Sequence, residues 1–107
     1  MFFTYPQDFK ERKLASGTVQ RLVWGERVTL VHTTFTPNLK GPVHSHPEEQ
    51  AGIVIEGEVT ITIGNETQLC KKGDAFSIPG NMEHRVLNGG MTTVVIQSFC
   101  PPLKEFK

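Results

Sequence analysis

The chain has 107 residues, room for one domain with a core of its own, and it is read as a single domain over 1–107. Eleven basic and eleven acidic side chains cancel when the four histidines are neutral. That balance excludes the basic footprint of a nucleic-acid binder and the polybasic arm of a membrane-surface protein, and no apolar run has the length of a membrane-crossing helix.

Met1-Phe2-Phe3-Thr4-Tyr5-Pro6 lacks the basic and long apolar regions of a signal peptide, so the expected address is the cytoplasm. Asp8 to Leu14 is expected to form a turn or two of helix. From there the apolar pattern has period two. Thr18 to Trp24 reads as a strand, and so does Arg27 to Thr36, where Val28, Leu30 and His32 alternate with Thr29, Val31 and Thr33. Pro37-Asn38 and Gly41-Pro42 break the pattern. Ala51 to Glu56 is a short apolar strand closed by Gly57. Val59, Ile61 and Ile63 share one face of the next strand. Gly64-Asn65 is a hairpin turn into Thr67–Lys71. Ala75–Ile78, Glu83–Leu87 and Thr92–Cys100 complete the set, and Pro101-Pro102 ends regular pairing. Many short strands with frequent turn signals mean an all-β barrel or sandwich. Cys70 and Cys100 form no CxxC pair and are expected to be ordinary apolar residues in a reducing compartment.

Three histidines stand out. His44-Ser45-His46 places two imidazoles on one side of an extended backbone, and Gln50 and His84 each fall where a strand begins. Imidazole suits first-row divalent metals. Taken alone, an HxH pair is as often a pair of ordinary hydrogen-bonding residues as a metal site.

These segments resemble the two motifs of the cupin family. The first motif ends HxH, three or four residues, Glu, six residues, Gly, and here His44, His46, Gln50 and Gly57 hold that spacing. The second runs Gly, Pro-x-Gly, His, Asn, matched here by Gly73, Pro79, Asn81, His84 and Asn88. Asn38 and Asn81 stand where the motifs have glycine, and asparagine tolerates the left-handed backbone such turns need. The resemblance implies a jelly-roll β-barrel, the double-stranded β-helix. It also implies one divalent metal ion (Mn, Fe, Ni, Zn or Cu) held by His44, His46, Gln50 and His84, with a small molecule as ligand. Gln50 replaces the usual glutamate. An ion held by neutral donors keeps its full charge, so it is held less tightly and attracts an anionic ligand more strongly. Cupins commonly pair through barrel faces and N-terminal strands, so the apolar Phe2, Phe3 and Tyr5 are expected in a homodimer interface.

Within the family the chain is similar to pectin-degradation cupins, which linearise 4,5-unsaturated galacturonate. Gly41-Pro42-Val43-His44-Ser45-His46-Pro47 with Glu49-Gln50 carries the similarity, along with Met1-Phe2-Phe3 and the tail around Phe99-Cys100-Pro101 and Glu105-Phe106. Those proteins have an aspartate where this chain has Gln97 and an arginine where it has Leu103. Gln97 occupies the catalytic place but does no acid–base work at neutral pH, and Leu103 pairs with no carboxylate. The replacements expected by strand parity are His32 as proton carrier and Arg21 as carboxylate clamp. An isomerase or lyase acting on a sugar acid is the first reading. A metal-dependent dioxygenase and a non-catalytic sensor module are the alternatives.

Overall fold

A computed structural model describes residues 1–104; Glu105 and Phe106 of the tail lie outside the described residues. The strands are β1 (Lys10–Lys13), β2 (Val19–Trp24), β3 (Thr29–Phe35), β4 (Glu49–Glu56), β5 (Glu58–Ile63), β6 (Glu66–Lys71), β7 (Ala75–Ile78), β8 (His84–Asn88) and β9 (Thr93–Cys100). One sheet runs β1-β2-β3-β9-β4-β7 and the other β6-β5-β8, with every pairing antiparallel. The fold is the all-β jelly roll. Its main core lies between the sheets, where Phe35, Val54 and Val95 meet Val59, Ile61 and Cys70. A second cluster joins Leu22, Val31 and Phe99, with Trp24 and Leu103 packed on it.

The turns follow their chemistry. At the β5–β6 hairpin only Gly64 has positive φ, the pattern of a type II′ turn. Asn38 and Asn81 sit at φ 64° and 67°, the left-handed region expected of them.

Asp8–Leu14 is a correction. A turn closes at Thr4–Asp8, where the Asp8 amide donates to the Thr4 carbonyl at 2.9 Å. Lys10–Lys13 is then strand, paired residue for residue with Val19–Leu22. The backbone of β2 would otherwise present a row of unpaired groups, and covering that edge outweighs the weak helical preference of Lys-Glu-Arg-Lys.

The inward face of β2 and β3 reverses the usual pattern. Thr29, Val31, Thr33 and Phe35 point inward, as do Thr18, Gln20 and Leu22, and all are buried. Leu30, on the outer face, is 43% exposed. The interior here is a cavity with mixed walls, and Thr18, Gln20 and Thr33 supply part of its polar lining.

Candidate metal centre and its cavity

His44 and His46 lie in the loop between β3 and β4, and His84 opens β8. Backbone pairing stitches the two segments together. The His44 amide donates to the His84 carbonyl at 3.0 Å, and the His84 amide returns a bond to His44 at 2.9 Å. One turn away, the Asn81 amide donates to the His46 carbonyl at 2.8 Å. Gly80 lets the chains approach this closely, because a Cβ there would lie 2.5 Å from the Pro47 carbonyl oxygen.

This stitching brings the three imidazoles together, with their ligand atoms all within 4.8 Å of one another. Each ring is oriented by its own backbone. Nδ1–H of His44 donates to the Pro42 carbonyl at 3.1 Å, that of His46 to Glu48 at 3.0 Å, and that of His84 to Met82 at 2.9 Å. A carbonyl only accepts, so each Nδ1 carries the proton and each Nε2 presents a lone pair. His84 Nε2 is buried without a hydrogen-bond partner. Burial, joined by the neighbouring His44 and His46, lowers the His84 pKa and keeps its ring neutral. A buried acceptor aimed at two other imidazoles fits a divalent cation, which would satisfy all three lone pairs at once.

Gln50, on β4, places an amide oxygen beside the three imidazole nitrogens. Its Oε1 lies 3.1 Å from His46 Nε2. With His46 protonated at Nδ1, two lone pairs face each other there, an arrangement that a cation between them relieves. The amide is set by a buried chain: Gln50 Nε2–H donates to Gln97 Oε1, and Gln97 Nε2–H donates to Thr33 Oγ1 at 2.8 Å. Gln50, Gln97 and Thr33 are all buried. Committing its N–H to Gln97 turns Gln50's oxygen toward the histidines. Glu48 lies on the other side of His46, its Oε1 3.5 Å from Nδ1. Glu49 is exposed at the start of β4.

The histidines and Gln50 open onto a cavity of about 480 Å³. Phe35, Phe76 and Phe99 are among its apolar walls, and Gln20, Thr33 and Gln97 are among its polar ones. Gly52 makes room for this wall, since a Cβ there would lie 2.6 Å from the Phe76 ring and 3.1 Å from Gln97 Cγ. Among the described residues no aspartate, glutamate or lysine lines the cavity. Leu103 does line it, held by its amide to Thr29 Oγ1 at 2.9 Å and by the Trp24 indole N–H to its carbonyl at 2.8 Å.

Arg21 and His32 need correction, because neither faces the cavity. They pair across β2 and β3 on the outer face of the sheet. Tyr5 packs on the His32 ring at 4.8 Å between centroids, and its hydroxyl accepts from Arg21 Nη1 at 3.0 Å. Arg21 also pairs with Glu11 at 3.3 Å. The physical reason is the reversed parity: Gln20 and Thr33 take the inward positions. Arg12 and Gln20 line the cavity and escaped the sequence reading. Reading Lys10–Lys13 as a strand would have found Arg12, since its register partner is the inward Gln20.

Residues 31–99 match the family described as Cupin domain. The chain is 26% identical over 96 residues to the pectin degradation protein KdgF of Dickeya dadantii (strain 3937), covering 88% of this chain and 87% of that one. Among solved structures, KdgF from Halomonas sp. superposes with a TM-score of 0.83 at 22% identity, covering 94% of each chain. An RmlC-like cupin from Shewanella frigidimarina NCIMB 400 superposes with a TM-score of 0.84 at 20% identity, covering 94% of this chain and 91% of that one.

Proposed function

The chain belongs to the cupin family, and on that premise we propose that it is a metal-dependent cupin acting on a small anionic sugar acid, opening the ring of a 4,5-unsaturated uronate. The observation that carries this reading is the donor set: three neutral imidazoles and an amide, in a cavity that no carboxylate lines among the described residues. The similarity to a pectin degradation protein supports the sugar-acid class.

A divalent ion held there would supply Lewis acidity. His44, His46 and His84 would hold it through Nε2, with their Nδ1–H bonds to backbone carbonyls fixing the rings. Gln97 acts by orientation, locking the Gln50 amide so that its oxygen faces the histidines. The phenylalanine walls exclude water from the sugar's apolar face. Ring opening takes the proton of the anomeric hydroxyl, breaks the bond between the anomeric carbon and the ring oxygen, and returns a proton to carbon 4. Nothing enters or leaves, so the reaction is an isomerisation. Gln97 exchanges no proton at neutral pH, so proton exchange falls to water at the cavity mouth.

The test is turnover of a 4,5-unsaturated uronate by metal-loaded protein, followed by loss of the double-bond absorbance. Wild type is expected to be slow, and Gln97→Asp with Leu103→Arg to accelerate it. If neither protein turns over the uronate at full metal occupancy, the second reading takes its place: a non-catalytic binding module, favoured by the same lack of a lining carboxylate. The proposal includes a homodimer. Met1 and Phe2 are fully exposed and Phe3 and Tyr5 about half exposed, an apolar terminus suited to a second copy. Light scattering at micromolar concentration checks it, and a monomer there would count against it.

A further inference from the structure

The donors gathered at the candidate centre are neutral, yet a carboxylate stands directly behind one of them. Glu48 Oε1 lies 3.5 Å from His46 Nδ1, across the ring from the Nε2 that faces Gln50. The Glu48 side chain is only 18% exposed, so water and salt screen its charge in part. The chain builds this contact. His46-Pro47-Glu48 curls so that the Glu48 carbonyl accepts His46 Nδ1–H at 3.0 Å, and the same curl sets the carboxylate beside that N–H. The His46 carbonyl is tied to the Asn81 amide at 2.8 Å, and its ring packs edge-on to His84 at 5.0 Å and tilted on Phe99 at 5.7 Å. His44 and His84 differ: among the described residues, their Nδ1–H groups meet the carbonyls of Pro42 and Met82 with no carboxylate alongside.

We propose that Glu48 is the positioning residue that balances the charge of this centre. Acting through His46, its carboxylate tightens the hold on a divalent ion that Gln50 leaves without an anionic ligand. An imidazole that gives its Nε2 lone pair to a cation takes on positive charge, and its Nδ1–H becomes more acidic. A carboxylate beside that N–H stabilises the charge and makes Nε2 the stronger donor. Placement matters as much as sign. An acid among the ligands would put negative charge on the side where an anionic ligand arrives, whereas Glu48 puts it behind the ring and leaves the open side positive. The inference rests on the metal-centre reading and on no particular substrate.

Competition with a chromophoric chelator for zinc tests this, with Glu48→Gln, Glu48→Asp and Glu49→Gln beside wild type. Glu48→Gln keeps the shape of the side chain and removes its charge, and zinc affinity is expected to drop about tenfold. Glu48→Asp should keep part of the affinity. Glu49→Gln should match wild type, since that side chain is exposed at the start of β4. Proton NMR of the zinc-loaded proteins reads the ring itself: the His46 Nδ1–H resonance should move upfield in Glu48→Gln while those of His44 and His84 hold. If wild type binds zinc and His84→Ala releases it, but Glu48→Gln changes neither the affinity nor the His46 resonance, the role of Glu48 is overturned and the centre stands. Equal losses in Glu48→Gln and Glu49→Gln would overturn it as well, because overall charge would then be the cause. If wild type binds no zinc, the metal-centre reading and the role of Glu48 fall together.

Discussion

Replacing Gln97 with leucine breaks the chain that aims Gln50, and the cost can be worked from its burial. Gln97 is 5% exposed and holds two hydrogen bonds at once, accepting from Gln50 and donating to Thr33. Leucine is close in volume and makes neither. A buried polar group stranded this way costs about 1–3 kcal/mol. The Gln50 N–H pays this in full, whereas the Thr33 hydroxyl loses one accepted bond and keeps its own proton to donate, so the total is about 2–4 kcal/mol. For a domain of this size each kcal/mol lowers Tm by about 4–8 °C. Gln97→Leu should therefore melt roughly 10–25 °C lower in metal-free protein. Removing both amides leaves less unpaired than removing one. The double variant Gln50→Leu with Gln97→Leu should thus cost less than the sum of the singles, by about 1–3 kcal/mol. Metal binding gives an independent readout, because Gln50 loses the anchor that orients its oxygen. Zinc affinity of Gln97→Leu should drop by about 10–100-fold. Urea melts of the four metal-free proteins close the cycle, and competition with a chromophoric chelator gives the affinities. Additive stabilities together with unchanged zinc affinity would refute the relay.

Three other predictions follow from the same geometry. Burial lowers the pKa of His84 and of His32 below 6.5, so the unfolded chain binds more protons in that range. Stability of the metal-free protein should hold above about pH 6.5, fall as the pH drops through it, and level off once the folded-state values are passed; urea melts between pH 7.5 and 5 that show no loss would contradict this. Gln50→Glu should tighten metal retention and weaken binding of anionic ligands, because an anion replaces a neutral donor; dialysis against chelator and titration with galacturonate read both, and no change in either would remove Gln50 from the ligand set. Gly52→Ala should cost about 1–3 kcal/mol, since its Cβ would press on the Phe76 ring and Gln97; an unchanged melting curve would show that the wall is looser than described.

The histidine cluster was legible because its signals are local. HxH on extended backbone, Pro79-Gly80-Asn81 before His84, and asparagines at left-handed positions each constrain a few residues wherever they occur. The eight strands from β2 to β9 were legible through alternation and turn residues. What stayed hidden was which way the alternation faces. Hydrophobic-in reasoning sends Arg21 inward with Val19 and Val23, but here Gln20 and Thr33 line the cavity, so Arg21 and His32 face out. No residue in β2 or β3 announces that reversal; it depends on Gln97 arriving from β9 to bond Thr33. β1 was missed for a related reason. Its four residues are all charged, and only the open edge of β2 makes them a strand, which hid Arg12 as well.

Anomalous diffraction from crystals of protein purified without an affinity tag, collected at the absorption edge of the metal found by elemental analysis, tests the central claim most directly. The account predicts one peak per chain, about 2.0–2.2 Å from Nε2 of His44, His46 and His84, with Gln50 Oε1 completing the set. A peak elsewhere, or none when the crystals are soaked in zinc, nickel or manganese, would contradict it.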